Sequence, residues 1–378
     1  MVAPAMKILH VIDSGGLYGA EMVLLNLTEE QKRLGHHPCI ASIGAQDVRE
    51  KPLETEARKR NLEVVVFRMR NGPNLAGSIR IVNFARSKGF QVVHSHGYKS
   101  NILLGFLPRC FRRLPLVSTV HGWTAVKIFS RLWLYEWADK MSLKCADAVC
   151  VVNDTMCSIP QIKSLNHEKV HVVVNGIPEL DTTAALPADE VTRFCLGGYT
   201  VASIGRLSPE KGYEHLIHSF SILHSFHPDT RLLIVGEGCE RERLDALICS
   251  LGLKGKIMLP GYRDDAWRYL TYCRLFVLSS LTEGLPITLL EAMQVGIPII
   301  ATCIGGVPSV ITHEENGILI PPGNHVILGQ VLLSLYKGNE KKLHEMSMRG
   351  MEMVKVHHSA RSMALGYDAV YKEVILRK

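Results

Sequence analysis

The chain has 378 residues, 47% of them apolar, and a formal net charge of +7. That length exceeds what one hydrophobic core usually holds, so two domains of roughly 150 to 200 residues are expected. No window approaches the ~18 uninterrupted apolar residues of a spanning helix, and the apolar start at 8–12 stops at Asp13, which argues against a membrane span and against a signal peptide.

From Met6 onward, short β-branched apolar runs alternate with amphipathic stretches of ten or more residues, the pattern of parallel sheets covered by helices. In the first half this predicts strands near 6–12, 37–43, 62–67, 91–94, 115–120, 147–152 and 170–174. The alternation pauses between Asn175 and Gly198, where NGIPELDTTAALPADE is rich in Pro, Asp and Thr, and this stretch reads as a linker. It restarts at Tyr199, with strands near 200–205, 231–235, 256–259, 275–278 and 298–301. The fold class is therefore α/β, with two doubly wound domains and a ligand cleft expected where their strand C-termini meet. The last stretch, 359–376, reads as a helix that crosses back to the first domain.

Charge is unevenly placed, with 23 Lys and Arg against 15 Asp and Glu in residues 1–180, and 20 against 21 in residues 181–378. The densest apolar-basic segment, ILLGFLPRCFRRLPL at 102–116, suits either anionic headgroups or a solvated surface beside a core helix. The ten cysteines form no C-x-x-C pair and no zinc-ligand spacing, and Cys39, Cys150, Cys273 and Cys303 lie in or beside apolar runs. Reduced core thiols behave so, which points to a cytoplasmic protein.

Four segments carry chemistry. Gly205-Arg206-Leu207-Ser208-Pro209-Glu210-Lys211-Gly212 follows a strand and opens a helix at Tyr213, so backbone N–H groups and the helix N-terminus can face an anion. Arg206 and Lys211 add a fork and a point charge suited to a diphosphate; the plainer reading is two surface charges. Glu283-Gly284-Leu285-Pro286-Ile287 leads from a strand into a helix that Pro286 can begin at its first turn, and Glu291 lies eight residues on from Glu283. Two carboxylates bracketing an apolar helix start need donors if buried, and vicinal sugar hydroxyls supply them. The alternative is a helix-dipole Glu at the start and a solvated Glu291 beyond it.

The first strand ends in Asp13-Ser14-Gly15-Gly16-Leu17-Tyr18-Gly19-Ala20-Glu21 and passes into a helix over 22–34; its glycines allow close approach to a phosphate or sugar. A dinucleotide fingerprint would end its second strand in an acidic residue, whereas Ser42-Ile43-Gly44 stands there, so a nicotinamide oxidoreductase fits poorly. His94, His96 and His121 sit at the C-terminal ends of two strands. They suit buried, hydrogen-bonded histidines or polar contacts to a sugar or acceptor; no carboxylate or Cys of suitable spacing completes a zinc site.

Taken together, GGLYGAE at 15–21, STVHG around His121, VVVNGI at Asn175, SIGRLSPEKG, LIVGEG at Gly236, LPGYRDD, LSSLTEGLPITLLEAM, GIPIIAT, IGGVPSV and NGILIPP resemble glycosyltransferase family 4, and the match runs over nearly the whole chain. EGLPITLLEA is the most specific of these segments and the glycine-rich first turn the least. The resemblance implies the GT-B architecture of two Rossmann-like domains: an acceptor-side domain over 1–180 completed by a C-terminal helix over 357–378, a linker over 181–198, and a donor-binding domain over 199–356.

It further implies that Arg206 and Lys211 hold the donor diphosphate and Glu291 the ribose. Glu283 and the backbone of Gly284, Leu285, Pro286 and Ile287 would contact the transferred sugar, and the base would lie near Gly261, Tyr262 and Arg263. Gly15 and Gly16 would approach the phosphate or acceptor side, with Gly19, Glu21 and His96 on the acceptor side, and His121 would hydrogen-bond the transferred sugar. The activity implied is retaining, metal-independent hexosyl transfer. A nucleotide diphosphate sugar, UDP- or GDP-linked, is the co-substrate, and a saccharide or lipid-linked molecule is the acceptor, in polysaccharide or glycoconjugate synthesis. No other cofactor and no nucleic acid are expected, and contact with the inner face of an anionic membrane is compatible with the basic half. A nucleotide-sugar epimerase of the same fold and a non-catalytic sugar-nucleotide-binding protein are the alternatives.

Overall fold

The computed structural model describes residues 5–70, 72, 74–121, 131–182 and 188–377. Residues 183–187 of the expected linker, and Gly122 of the segment around His121, lie outside them. The chain divides into two compact units, one formed by Met1–Pro178 with Ser359–Lys378 and the other by Glu179–His358.

The first unit is built on seven strands, β1 (Lys7–Ile12), β2 (His37–Gly44), β3 (Glu63–Arg68), β4 (Val92–His96), β5 (Leu116–Val120), β6 (Ala148–Val151) and β7 (Val170–Val172). All pair in parallel, in the order β3-β2-β1-β4-β5-β6-β7. Strands β4, β5 and β6 are buried throughout, because helices on both faces leave no polar face to alternate with. Chain order reverses on either side of β1, whose C-terminal end therefore opens beside that of β4.

The C-terminal helix Ala360–Leu376 belongs to this unit. It buries Met363, Ala364, Tyr367, Asp368, Val370, Tyr371 and Val374, one stripe of a 3.6-residue period. Ala360 N–H donates to the Ile177 carbonyl at 2.8 Å, and a Cβ on Gly176 would stand 2.2 Å from the Ser359 carbonyl, so only glycine lets the two segments pass. His36 Nδ1 accepts from the Met6 N–H (3.1 Å), which places its proton on Nε2, and Nε2 donates to Asp368 Oδ2 at 2.8 Å.

The apolar-basic segment 102–116 is less uniformly exposed than its composition suggests. Arg112 is buried, its guanidinium bonded to Asp147 (3.2 Å) and to the carbonyls of Leu104 and Cys145. Arg109 pairs with the same Asp147 at 2.9 Å, whereas Phe106 and Phe111 stand at the surface.

The second unit carries β8 (Tyr199–Ile204), β9 (Thr230–Val235), β10 (Ile257–Met258), β11 (Leu275–Leu278), β12 (Ile299–Thr302) and β13 (Ile318–Ile320), all parallel in the order β10-β9-β8-β11-β12-β13. Every strand expected from the sequence is present; β13, a three-residue edge strand, was not expected. The linker stretch contains a helix, Glu190–Leu196, whose N-terminus is capped by Asp189 accepting from Val191 and Thr192 N–H at 3.0 Å each. Seven residues with only Val191 and Cys195 as buried apolar groups give no readable amphipathic pattern. Among the described residues no helix is long and apolar enough to cross a membrane.

Asp368→Ala leaves His36 Nε2–H buried without its acceptor. It should lower the unfolding free energy by about 2 kcal/mol, read by urea denaturation, and accelerate proteolysis of the C-terminal helix in the folded protein. Unchanged stability would show that the apolar stripe alone holds this helix.

Candidate active site

In the second unit chain order reverses between β8 and β11, so the loops that leave these neighbouring strands run to opposite sides and open a crevice at their C-terminal ends. The loop after β8 carries Arg206 and Lys211, and the loop after β11 carries Glu283. The two loops are stitched together by backbone and side chain. Leu281 N–H donates to the Glu210 carbonyl (2.7 Å), Ser279 Oγ to the Lys211 carbonyl (2.9 Å), and Ser280 Oγ to Glu283 Oε1 (2.8 Å). Gly212, left-handed at φ 63°, lets the Ser279 carbonyl approach to 2.4 Å from where a Cβ would be.

The outcome is an ion pair between Lys211 Nζ and Glu283 Oε1 in a largely buried setting. Arg206 is engaged within its own loop, Nη2 with Glu210 and Nε with Ser208 Oγ at 3.3 Å. Thus the structure brings Lys211 and Glu283 together, while the Arg206 guanidinium is held by Glu210, a residue that its sequence context does not mark out.

Behind Glu283 the chain enters the helix Ile287–Val295, with Pro286 at the N-cap rather than in the first turn. Leu285, Pro286 and Ile287 are buried, so what this turn offers a ligand is backbone. The turn is backed by the loop after β12: Gly306 N–H donates to the Gly284 carbonyl (2.6 Å), and a Cβ on Gly305 would lie 1.9 Å from the Glu283 carbonyl. The Thr288 hydroxyl, buried in the first turn of the helix, has no hydrogen-bond partner among the described residues.

Glu291, on the same helix, makes no hydrogen bond or ion pair among the described residues. Desolvation, aided by the nearby Asp265 carboxylate, pushes its pKa up to about 7. Asp265 ends the loop that holds Gly261, Tyr262 and Arg263. The Gly261 carbonyl accepts from Gly236 N–H at 3.0 Å, and Gly236 in turn packs on the Gly205 carbonyl, so this loop adjoins the one after β8. Tyr262 is exposed, and Arg263 Nη2 pairs with Glu190 at 3.4 Å.

In the first unit the crevice lies at the ends of β1 and β4. Ser14 Oγ folds the glycine turn by bonding the Gly16 carbonyl (2.7 Å). Positions Gly15 and Gly19 have open space where a side chain would be, whereas a Cβ on Gly16 would strike the Tyr18 ring at 2.7 Å. Glu21, expected on the acceptor side, makes a local bond. Its Oε2 accepts from Tyr18 N–H (3.2 Å) at the start of the helix Gly19–Arg33. Asp13 sits between Lys51 and Lys99, two cations with no motif around them in the sequence.

His96 and His121 meet, Nδ1 to Nε2, at 3.2 Å. Behind them stand His10, with Nδ1 3.0 Å from His96 Nε2, and His94, bonded to Tyr371 and Thr119 at 2.7 Å each. Burial lowers the pKa of all four rings, His10 and His121 to about 4, so each is neutral at physiological pH.

Two family models match these two units in turn. Glycosyltransferase Family 4 matches residues 18–179, and Glycosyl transferases group 1 matches residues 189–353. The chain belongs to the family 4 glycosyltransferases. Among curated relatives, the UDP-Gal:alpha-D-GlcNAc-diphosphoundecaprenol alpha-1,3-galactosyltransferase of Escherichia coli is 27% identical over 64% of this chain and 65% of its own length. An uncharacterised glycosyltransferase of Haemophilus influenzae is 34% identical over 40% of this chain and 42% of its own. The chain thus spans less than two thirds of either relative.

The solved structure of Anabaena HepE in complex with UDP superposes with a TM-score of 0.82 at 20% identity, covering 97% of this chain and 100% of that one, which establishes the GT-B fold for this glycosyltransferase family member. The residues missed from the sequence are Glu210, Ser279, Ser280 and Asp265 in one unit and His10, Lys51 and Lys99 in the other. A lone His inside the apolar run Lys7–Ile12 was the visible signal for His10.

The raised Glu291 pKa carries a sign. Between about pH 4.5, the ordinary glutamate value, and pH 7, the folded state binds the proton that the unfolded state releases, so this residue's contribution to stability falls as pH rises through that window. Glu291→Gln should match the parent at pH 4 and exceed it by about 1–3 kcal/mol at pH 8 in urea unfolding. Equal stability at both pH values would place Glu291 in water.

Proposed function

We propose that this family 4 glycosyltransferase transfers a hexosyl unit from a nucleotide diphosphate sugar, UDP- or GDP-linked, to a saccharide or lipid-linked acceptor, with retention at the anomeric carbon and without a metal. The observation that carries this reading is the Lys211–Glu283 pair at the strand-order reversal of the second unit. It puts a cation at the end of one loop beside a carboxylate at the end of its neighbour, a carboxylate able to accept from sugar hydroxyls. Two relatives lend support: the Escherichia coli enzyme is named for a UDP-galactose donor, and Anabaena HepE was solved with UDP bound.

In the proposed reaction the diphosphate engages Lys211 and Arg206, whose charge neutralises the departing nucleotide as the bond to the sugar lengthens; these two cations take the part a metal ion would otherwise play. The acceptor hydroxyl enters on the face the nucleotide leaves, and the nucleotide carries the developing negative charge. Glu283, released from Lys211, accepts from hydroxyls of the sugar. Glu291 takes the two ribose hydroxyls, donors that no described residue supplies to its carboxylate, and Gly261, Tyr262 and Arg263 border the base. In the first unit His121 receives a hydroxyl of the transferred sugar, and the open positions Gly15 and Gly19 leave room for phosphate or acceptor. Exposed Phe106 and Phe111 beside Arg109 and Arg113 suit a contact with anionic lipid when the acceptor is lipid-linked.

Thermal stabilisation by UDP, GDP and their sugars, followed by product analysis with and without saccharide acceptors, tests this reading. One nucleotide family should stabilise the parent. Lys211→Ala should abolish that shift and lower transfer on the order of 10²-fold, and Glu283→Ala should lose discrimination among sugars. Glu291→Gln should weaken the nucleotide despite its higher intrinsic stability at pH 8, the trade expected when a strained group serves binding. No stabilisation by any nucleotide, or donor consumed to free isomer without acceptor, would overturn the proposal.

A further inference from the structure

The buried histidines of the first unit form a directed chain. Tyr371 Oη lies 2.7 Å from His94 Nδ1 and accepts from Gln31 Nε2 at 3.4 Å, and Gln31 Oε1 faces His10 Nε2 at 2.8 Å. A carbonyl oxygen only accepts, so His10 carries its proton on Nε2. A neutral imidazole has one N–H, which leaves His10 Nδ1 bare, and His96 must then donate to it through Nε2 over 3.0 Å. By the same step His96 Nδ1 is bare and His121 donates to it through Nε2 over 3.2 Å. Only one atom at the end of this chain is left over: His121 Nδ1, buried and without a partner among the described residues.

We propose that Gln31, His10 and His96 are positioning residues that hold His121 in its Nε2–H tautomer, so that Nδ1 presents a bare lone pair to a hydroxyl of the transferred sugar. The sugar contact rests on the function proposed above; the tautomer does not. All rings involved are kept neutral by burial, and the neighbouring histidines oppose protonation of His94 and His96, so the single-proton accounting holds at neutral pH. The ring that meets the sugar is thereby an obligate acceptor. It favours a hydroxyl at that place over a fluorine or a carbonyl, neither of which donates.

Nitrogen-15 NMR of the histidine-labelled, ligand-free protein reads the tautomer directly and needs no variant. The expected spectrum has a pyridine-type Nδ1 and a pyrrole-type Nε2 for His121; a pyrrole-type Nδ1 overturns the proposal. Gln31→Met removes the anchor at similar volume and should give His121 a mixture of tautomers, with kcat down about tenfold and the acceptor KM unchanged. Gln31→Glu keeps an acceptor toward His10 and should restore the tautomer and most of the rate. Loss of rate in Gln31→Met with the His121 tautomer unchanged would make Gln31 merely structural and sink the proposal. A parent with the expected spectrum that transfers no sugar would instead overturn the transferase reading while the tautomer assignment stands.

Discussion

Reversal of strand order at one point in each parallel sheet is the constraint on which the rest of this molecule depends. Loops leaving β8 and β11 run to opposite sides, so neither crossover covers the crevice between them, and whatever closes it must come from the loops themselves. Here the loops at this end of the sheet are held to one another backbone to backbone. Gly212 admits the Ser279 carbonyl, Gly236 the Gly205 carbonyl, and Gly305 the Glu283 carbonyl, each at a separation no Cβ tolerates. These contacts fix the loops without filling the crevice with side chains, and they leave Lys211 and Glu283 projecting from adjoining turns.

The pairing of Lys211 follows from burial. An unpaired ammonium at Lys211 would be expensive to desolvate, and Glu283 answers it; Arg206, half-exposed, pairs with Glu210 in its own loop without that constraint. A diphosphate that takes over both cations leaves two carboxylates in need of donors. Sugar hydroxyls can serve Glu283, so on the proposed reading the two ends of a nucleotide sugar are recognised cooperatively. Free nucleotide leaves Glu283 with the Ser280 hydroxyl as its donor, whereas the intact nucleotide sugar adds the hydroxyls that complete its shell. Such coupling favours loading of donor over retention of spent nucleotide.

The strands and their order of alternation were legible because parallel strands covered on both faces appear as continuous apolar runs. β13 and the helix Glu190–Leu196 were not: β13 is enclosed by Asn316-Gly317 and Pro321-Pro322, which read as turn residues, and the seven-residue helix is too short to display a period. Lys211 and Glu283 were legible as motif residues, but their pairing spans 72 positions and depends on strand order, which no local pattern encodes. Glu21, which the resemblance puts on the acceptor side, has a role no motif announced: its carboxylate accepts from Tyr18 N–H at a helix start. The raised pKa of Glu291 was invisible, because it reflects the Asp265 loop folding beside a helix and the absence there of any donor from the described residues.

His10, His94 and His96 bring three ring nitrogens close enough together to suggest a metal site. Hydrogen-bond accounting gives a different answer. Both nitrogens of each ring already have partners, at 2.8 and 3.0 Å for His10, 2.7 and 2.7 Å for His94, and 3.0 and 3.2 Å for His96. Ligating an ion would break several of these bonds in a setting where an unsatisfied polar atom costs about 1–3 kcal/mol. Clustered buried histidines therefore have a second physical solution besides metal binding: a chain in which each neutral ring dictates the proton position of the next. Such a chain is stable only if its inner end is anchored by a group with fixed polarity. Gln31, held by Tyr371 of the C-terminal helix, is that group, which ties the polarity of an atom at the sheet's C-terminal edge to a helix contributed by the last residues of the chain.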